Sequence, residues 1–242
     1  MPFEPKILFE DNHVIVALKP PNMLTQGDIT GDVSLLDYLK NYIKDKYEKP
    51  GNVYLGMVHR MDRPVGGVLV FARTSKAAAR LNKQVKDNSM VREYVCICEG
   101  EPPARFTLKD YLAKDSENNI VRAVPSYLRI GKEAILHAYT VKSQNNTSLC
   151  AVQLETGRAH QIRAQFTSNG FPLLGDRRYN KNASGQIALW GMRLTFAHPI
   201  SGQNMVFVSP PPIEGNWQNY KNEIEVLNAD WPNISPQIPY ER

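Results

Sequence analysis

The stretch VHRMDRPVGGVLVFARTSKAA, from Val58 to Ala78, decides how the chain is read. The apolar run VYLGMV leads into it and reads as a strand, and GGVLVFA reads as a second one. From Ser75 to Asp87, SKAAARLNKQVKD, the spacing turns helical, with Thr74 or Ser75 as the cap. Between the two strands sits a polar cluster, His59-Arg60-Met61-Asp62-Arg63. Apolar strands form the buried frame of a sheet, and functional side chains sit on the loops which that frame holds still. Pro64 restrains the turn, and Gly66-Gly67 lets the backbone pass close to a neighbour. Flanking guanidinium groups on Arg60 and Arg63 favour the ionised form of the Asp62 carboxylate. An ionised, aimed carboxylate is a competent nucleophile.

Outward from this stretch, short strands dominate. KILFE and HVIVALK form a pair across Asp11-Asn12, and KPPNMLTQGDITGD is loop. Ser34 caps a helix whose apolar residues are Leu35, Leu36, Leu39, Ile43 and Tyr47, and Pro50-Gly51 ends it. REYVCICEG and the segment around ARFTLKDYL read as strands, and ILHAYTVKS with LCAVQLE reads as a hairpin across Asn145-Asn146. Another helix is expected from about Arg158 to Ser168, ending at Asn169-Gly170. The last third alternates short strands with Pro-rich loops, then a helix near Asn216 to Val226 and an irregular tail. Strands outnumber helices and hairpins separate them, which predicts an α+β fold on a largely antiparallel or mixed sheet. With no repeat, low-complexity block or long linker, a single domain over residues 1–242 is the simplest organisation.

Composition narrows the class. A chain of 242 residues with 42% apolar and 22% charged residues is of ordinary globular make-up. No run of eighteen or more apolar residues is present, so no membrane span is expected, and MPFEPKILFEDNH does not read as a signal peptide. The net charge of +5 suits a phosphate-bearing partner without requiring one. An odd set of cysteines, Cys96, Cys98 and Cys150, points to reduced thiols in a cytoplasm. Cys96 and Cys98 face one side of a strand as packing residues, since no second cysteine pair completes a metal site.

A second chemical segment is LETGRAHQIRAQFTSNGFPLLGDRRY, from Leu154 to Tyr179. Thr156-Gly157 breaks a strand and opens the expected helix, which places Arg158, His160 and Arg163 in its first turns. Ile162 and Phe166 pair on its apolar side. A helix N-terminus beside two arginines attracts a phosphate or a carboxylate. On spacing alone, a solvated helix face and an ordinary loop salt bridge at Asp62 remain open as the alternative.

Taken together, HRMDR with GGVLVFART resembles the signature of the RluA-type RNA pseudouridine synthases, usually His-Arg-Leu-Asp-Arg followed by a turn, an apolar strand and Ala-Lys-Thr. ETGRAHQIRAQF with GFPLLGDRRY is similar to that family's second hallmark, Gly-Arg-Thr-His-Gln-Ile-Arg leading to a Gly-Asp turn. ILFEDNHVIVALKPPNML is similar to its first strand pair, and REYVCICEG to its segment with a Tyr shortly after a basic residue. The resemblance runs in order from about Ile7 to Pro211. Three positions depart from the pattern. Met61 replaces Leu at similar volume, while Gly66 in place of Ser and Ala159 in place of Thr each remove a hydroxyl.

The resemblance implies conversion of uridine to pseudouridine in ribosomal or transfer RNA, with no cofactor and no metal. Asp62 is then the catalytic carboxylate, acting by direct attack on the ribose or by removing a proton from its carbon 2. Arg163 matches the arginine that orients this aspartate, and Tyr94 the tyrosine that stacks near the uracil. Arg60 matches a residue that fills the gap left by the displaced base, a role its planar guanidinium suits. His59, Arg63, Arg158 and His160 are expected to support the loop or touch RNA. Lys19 and Pro20 lie in the first motif and are assigned no chemistry. The RNA-binding domain that precedes the catalytic domain in many relatives is expected to be absent. The implied partner is RNA, with small stem-loops as the expected target, and the implied form is a cytoplasmic monomer needing no protein partner.

Two rivals are weighed beside this. A metal-dependent hydrolase would use His59, Asp62 and His160, but HxxD is not helical ligand spacing, and nearby arginines repel a cation. An RNA-binding module without catalysis is opposed by the joint presence of Asp62, Tyr94 and Arg163.

Overall fold

The computed structural model of the protein describes residues 5–115 and 117–234. In chain order its elements are β1 (Lys6–Glu10), β2 (Val14–Lys19), α1 (Leu35–Lys46), β3 (Gly56–Met57), β4 (Gly66–Ala72), α2 (Ser75–Lys86) and β5 (Val91–Glu99). There follow β6 (Arg105–Asp115), β7 (Ile120–Val124), β8 (Lys132–Gln144), β9 (Thr147–Leu154), α3 (Gln161–Ser168), β10 (Leu189–Ala197), β11 (Asn204–Val208) and α4 (Lys221–Ala229). Contacts divide the chain into two compact units. One comprises the chain up to Val91 with Arg193–Ser209, and the other comprises Arg92–Met192 and the chain from Pro210. The expected α+β class with antiparallel pairing is what the protein adopts.

In the first unit β2 pairs with β1 on one side and β4 on the other, both antiparallel. Every residue of β2 and β4 is buried, whereas β1 is partly exposed. Continuous apolar runs such as VIVAL and GGVLVFA are the mark of strands covered on both faces. Each fully buried Val, Leu or Ile contributes roughly 1.5–3 kcal/mol of transfer free energy. The buried residues of α1 are Leu35, Leu39 and Ile43, and those of α2 are Ala77, Ala78 and Leu81. The C-terminal end of α1 is tied to β1 through Glu10, which accepts from Tyr42, Lys46 and Tyr47. Here the expected strand VYLGMV shrinks to Gly56–Met57, paired with Ala72 and Phe71 of β4. Apolar pattern locates a strand, but its length is set by the hydrogen-bonding groups a partner offers.

The second unit is built on a run of neighbours β5, β9, β8, β6 and β7, all antiparallel. The Asn145-Asn146 turn joins β8 to β9 with both residues at positive φ, as the sequence requires of a two-residue hairpin. Strand β7 is an addition to the sequence reading. It is only five residues long, and its pairing with residues 111–115 of β6 is what makes it a strand. Cys96 lies opposite Cys150, and all three cysteines are buried free thiols that act as packing residues. The expected helix near Asn216 divides into a 3-10 turn over Gly215–Tyr220 and α4. The irregular tail beyond it lies, from residue 235, outside the described residues. Among the described residues no helix is long and apolar enough to cross a membrane.

Ser34 caps α1 as the sequence indicates, and the cap is reciprocal. Its hydroxyl accepts from Asp37 N, and the Asp37 carboxylate accepts from Ser34 N. Ser34→Ala should lower stability by about 1 kcal/mol. The readout is a lower urea midpoint at unchanged slope, and an unmoved midpoint would show that the cap contributes nothing.

Candidate active site

The segment between β3 and β4 alternates in exposure. Val58, His59 and Met61 are buried, Asp62 is half-buried, and Arg60 and Arg63 are exposed. Buried members anchor the loop while the polar ones face outward. His59 Nε2 accepts from the backbone N–H of Val70 on β4 at 3.3 Å, which fixes the loop to the strand that follows it. Thr25 clamps the backbone one residue before Asp62. Its hydroxyl donates to Met61 O at 2.9 Å and accepts from Met61 N at 3.2 Å. On the far side a turn closes from Val65 N to Asp62 O at 3.0 Å.

Lys19 completes the support. It ends the buried run of β2 with no exposed surface, and its ammonium donates to the carbonyls of Pro20 (3.0 Å), Met23 (2.6 Å) and Arg63 (3.1 Å). Those three acceptors match the three donors of an ammonium group. Burial pushes its pKa down from the ordinary 10.5 to about 7; the charge of Asp62 opposes that shift, and Arg63 adds to it. The residue left without a chemical role on sequence therefore positions the loop that carries Asp62. A lysine closing an otherwise apolar strand was the available signal.

Arg63 does not turn back onto its neighbour's carboxylate. Its Nη2 donates to Asp32 at 2.6 Å and its Nε to Asn22 O at 3.2 Å, so it braces the loop between β2 and α1. Both Arg63 and Asp32 are about half exposed, so the pair itself stabilises by no more than about 1 kcal/mol.

In the second unit, Tyr94 sits on β5 opposite Val152 and is buried. Helix α3 begins at Gln161, later than its sequence suggests. Of the three polar residues expected in its first turns, only Arg163 is helical. His160 takes a left-handed conformation, φ 51°, which interrupts the helix on its N-terminal side. The Gln161 side-chain oxygen accepts from Thr156 Oγ1 and from Arg158 N, which holds the preceding turn away from helical geometry. Arg158 is exposed, with its Nε on Glu133 O at 2.9 Å. His160 Nδ1 lies 3.1 Å from the hydroxyl of Tyr179.

Arg163 forms a buried two-point pair with Asp176, Nε to Oδ2 at 2.8 Å and Nη2 to Oδ1 at 2.7 Å. Its guanidinium also lies over the Tyr179 ring, 5.2 Å from the centroid. Asp176 is placed by Gly175, at φ 73°, where an added Cβ would come within 2.1 Å of Gln186 O. The Gly-Asp turn is legible in the sequence, but a role for Asp176 is not; a lone acid after a glycine carries no signal until the arginine is brought to it. Among the described residues, no three His, Cys, Asp or Glu side chains gather in a way that could hold a metal ion.

The family described as RNA pseudouridylate synthase matches residues 13–168, a span that takes in the Asp62 loop, Tyr94 and Arg163. The chain belongs to that family. It is 35% identical over 220 residues to a ribosomal large subunit pseudouridine synthase D of Zymomonas mobilis, covering 86% of this chain and 69% of that one. A synthase D of Haemophilus influenzae is 28% identical over 253 residues, covering 97% and 74%. Among solved structures, human RNA pseudouridylate synthase domain containing 4 superposes with a TM-score of 0.72 at 17% identity, over 90% of this chain and 92% of that chain, which shows a shared fold.

Two supports of this family member can be tested. The unfolded chain binds more protons at Lys19 than the folded one between pH 7 and 10.5. The stability contributed by this position therefore rises with pH across that window and is lost as pH falls through about 7. Urea midpoints of the native chain and Lys19→Met, compared from pH 6.5 to 9.5, should differ increasingly in favour of the native chain; a constant difference would refute the lowered pKa of Lys19. Asp176→Ala breaks the buried two-point pair with Arg163 and should cost roughly 3–5 kcal/mol. A melting temperature within a degree of native would show that the pair is not buried as described.

Proposed function

We propose that this protein isomerises uridines in RNA to pseudouridine, with Asp62 as the catalytic carboxylate. The observation that carries the proposal is a half-buried carboxylate on a family-matched loop whose backbone is held on both sides, by Thr25 at Met61 and by Lys19 at Arg63. The reaction breaks the bond from ribose carbon 1 to uracil nitrogen 1, turns the ring, and joins the same ribose carbon to carbon 5. Carbon 5 loses a proton and nitrogen 1 gains one, so no electrons are transferred and no cofactor is needed. The carboxylate begins either by attacking the ribose carbon or by taking a proton from carbon 2, and both routes need it ionised and fixed in direction.

In this reading Arg163 orients Asp62 and Tyr94 stacks on the uracil, where base stacking recovers roughly 1–3 kcal/mol. The target must leave its helix to be reached, which costs a few kcal/mol. The exposed Arg60 fills the vacated stack. Arg63, Arg158 and His160 contact RNA from positions braced by Asp32, Glu133 and Tyr179, and the buried His59 supports the loop from beneath. Residues 1–242 act as a single catalytic domain, a cytoplasmic monomer without an obligatory protein partner. Relatives named for the large ribosomal subunit make large-subunit ribosomal RNA the first substrate to test, at stem-loops.

The experiment is incubation with unmodified total RNA in the presence of chelator, followed by pseudouridine mapping at single-nucleotide resolution. The native chain should create new sites and Asp62→Ala should create none while still binding RNA. Activity retained in Asp62→Ala would remove Asp62 from the mechanism, and binding without turnover by the native chain would favour a non-catalytic RNA-binding module.

A further inference from the structure

Arg92 is a buried cation whose role neither the fold nor the proposed mechanism uses. It opens β5 opposite Leu154 and is only 6% exposed. Its Nε is buried without a hydrogen-bond partner among the described residues. No carboxylate among them pairs with its guanidinium. The contrast with Arg163, equally buried but satisfied at two points by Asp176, is direct. A buried guanidinium without an anion is costly, so a site that retains one is built to receive an anion from outside.

Gly157 lies over the guanidinium, and a Cβ at that position would come within 2.5 Å of Arg92 Nη1. Its φ is outside the left-handed region, so the backbone does not demand glycine there; what the missing side chain provides is clearance above the cation. Gly157 itself is exposed, so the chain above the cation lies at the protein surface. Arg92 and Tyr94 are two residues apart on one strand and therefore project to the same face, roughly 6.6 Å apart along it. That is the scale on which a nucleotide carries its base and its phosphate.

We infer that Arg92, beneath Gly157, binds a backbone phosphate of the RNA next to the nucleotide that stacks at Tyr94. The inference rests on the proposed RNA reaction and deepens it, adding a contact that positions the strand. A guanidinium meets a phosphate at two points, which fixes orientation as well as charge.

The test measures binding of an unmodified large-subunit ribosomal RNA transcript as a function of salt, beside initial rates of pseudouridine formation. Arg92→Gln should reduce the slope of log affinity against log salt by about 0.7–0.9, the amount for one phosphate contact. It should also raise KM more than it lowers kcat. Arg92→Lys should retain most of the slope. Gly157→Ala displaces only the flexible tip of the arginine, so it should fold and lose the same increment, which keeps the test valid if Arg92→Gln is unstable. A lower melting temperature with the slope unchanged in both Arg92→Gln and Gly157→Ala would overturn the inference and leave Arg92 a packing residue. If the native chain makes no pseudouridine but the slope still falls in the variants, the phosphate contact stands and the proposed reaction fails.

Discussion

Three carbonyl oxygens gathered around the Lys19 ammonium form the constraint on which the Asp62 loop depends. A charge taken fully out of water must find its hydrogen bonds inside the protein or lose its proton. Here the acceptors come from two places in the chain, Pro20 and Met23 just after β2, and Arg63 in the loop before β4. Satisfying the ammonium therefore fixes the end of one strand against the loop bearing the carboxylate. The burial of β2 makes this unavoidable, because a residue that follows VIVAL in a doubly covered strand has no route to solvent. Thr25 and His59 extend the same logic to the neighbouring backbone, each replacing a water contact by an internal hydrogen bond.

The second unit solves a similar problem twice, in different ways. Arg163 receives an internal anion, and the turn that delivers Asp176 is so tight against Gln186 that only glycine fits before it. Arg92 is buried to the same degree and receives no such partner among the described residues, while the chain passing over it is glycine as well. One glycine thus brings an acid to an arginine, and the other keeps an arginine uncovered. Side-chain volume, more than backbone freedom, explains Gly157. Both effects explain Gly175, whose φ of 73° already favours glycine.

Much of the framework was legible in the order of residues. The capped helix at Ser34, the strands VIVALK and GGVLVFA, the hairpin at Asn145-Asn146 and the helix ending at Asn169 all follow from local rules of capping, turn chemistry and apolar period. The elements that depart from the local pattern share a cause. The VYLGMV stretch yields only the strand Gly56–Met57 because its length depends on β4, and β7 has no strong local signature because only its pairing with β6 makes it a strand. Helix α3 starts at Gln161, later than its local pattern suggests, because the Gln161 side chain holds the turn before it, and nothing local announces that hydrogen bond.

The sequence by itself determined the fold class and the family, because these depend on periodicity and on short motifs whose residues lie close together along the chain. The tertiary structure alone decided the partners: Arg63 with Asp32, Arg163 with Asp176, Lys19 with three carbonyls, and Arg92 with none among the described residues. The physical reason is that a charged group's partner is chosen by proximity in a desolvated interior, and that proximity exists only once strands distant in sequence have been brought side by side.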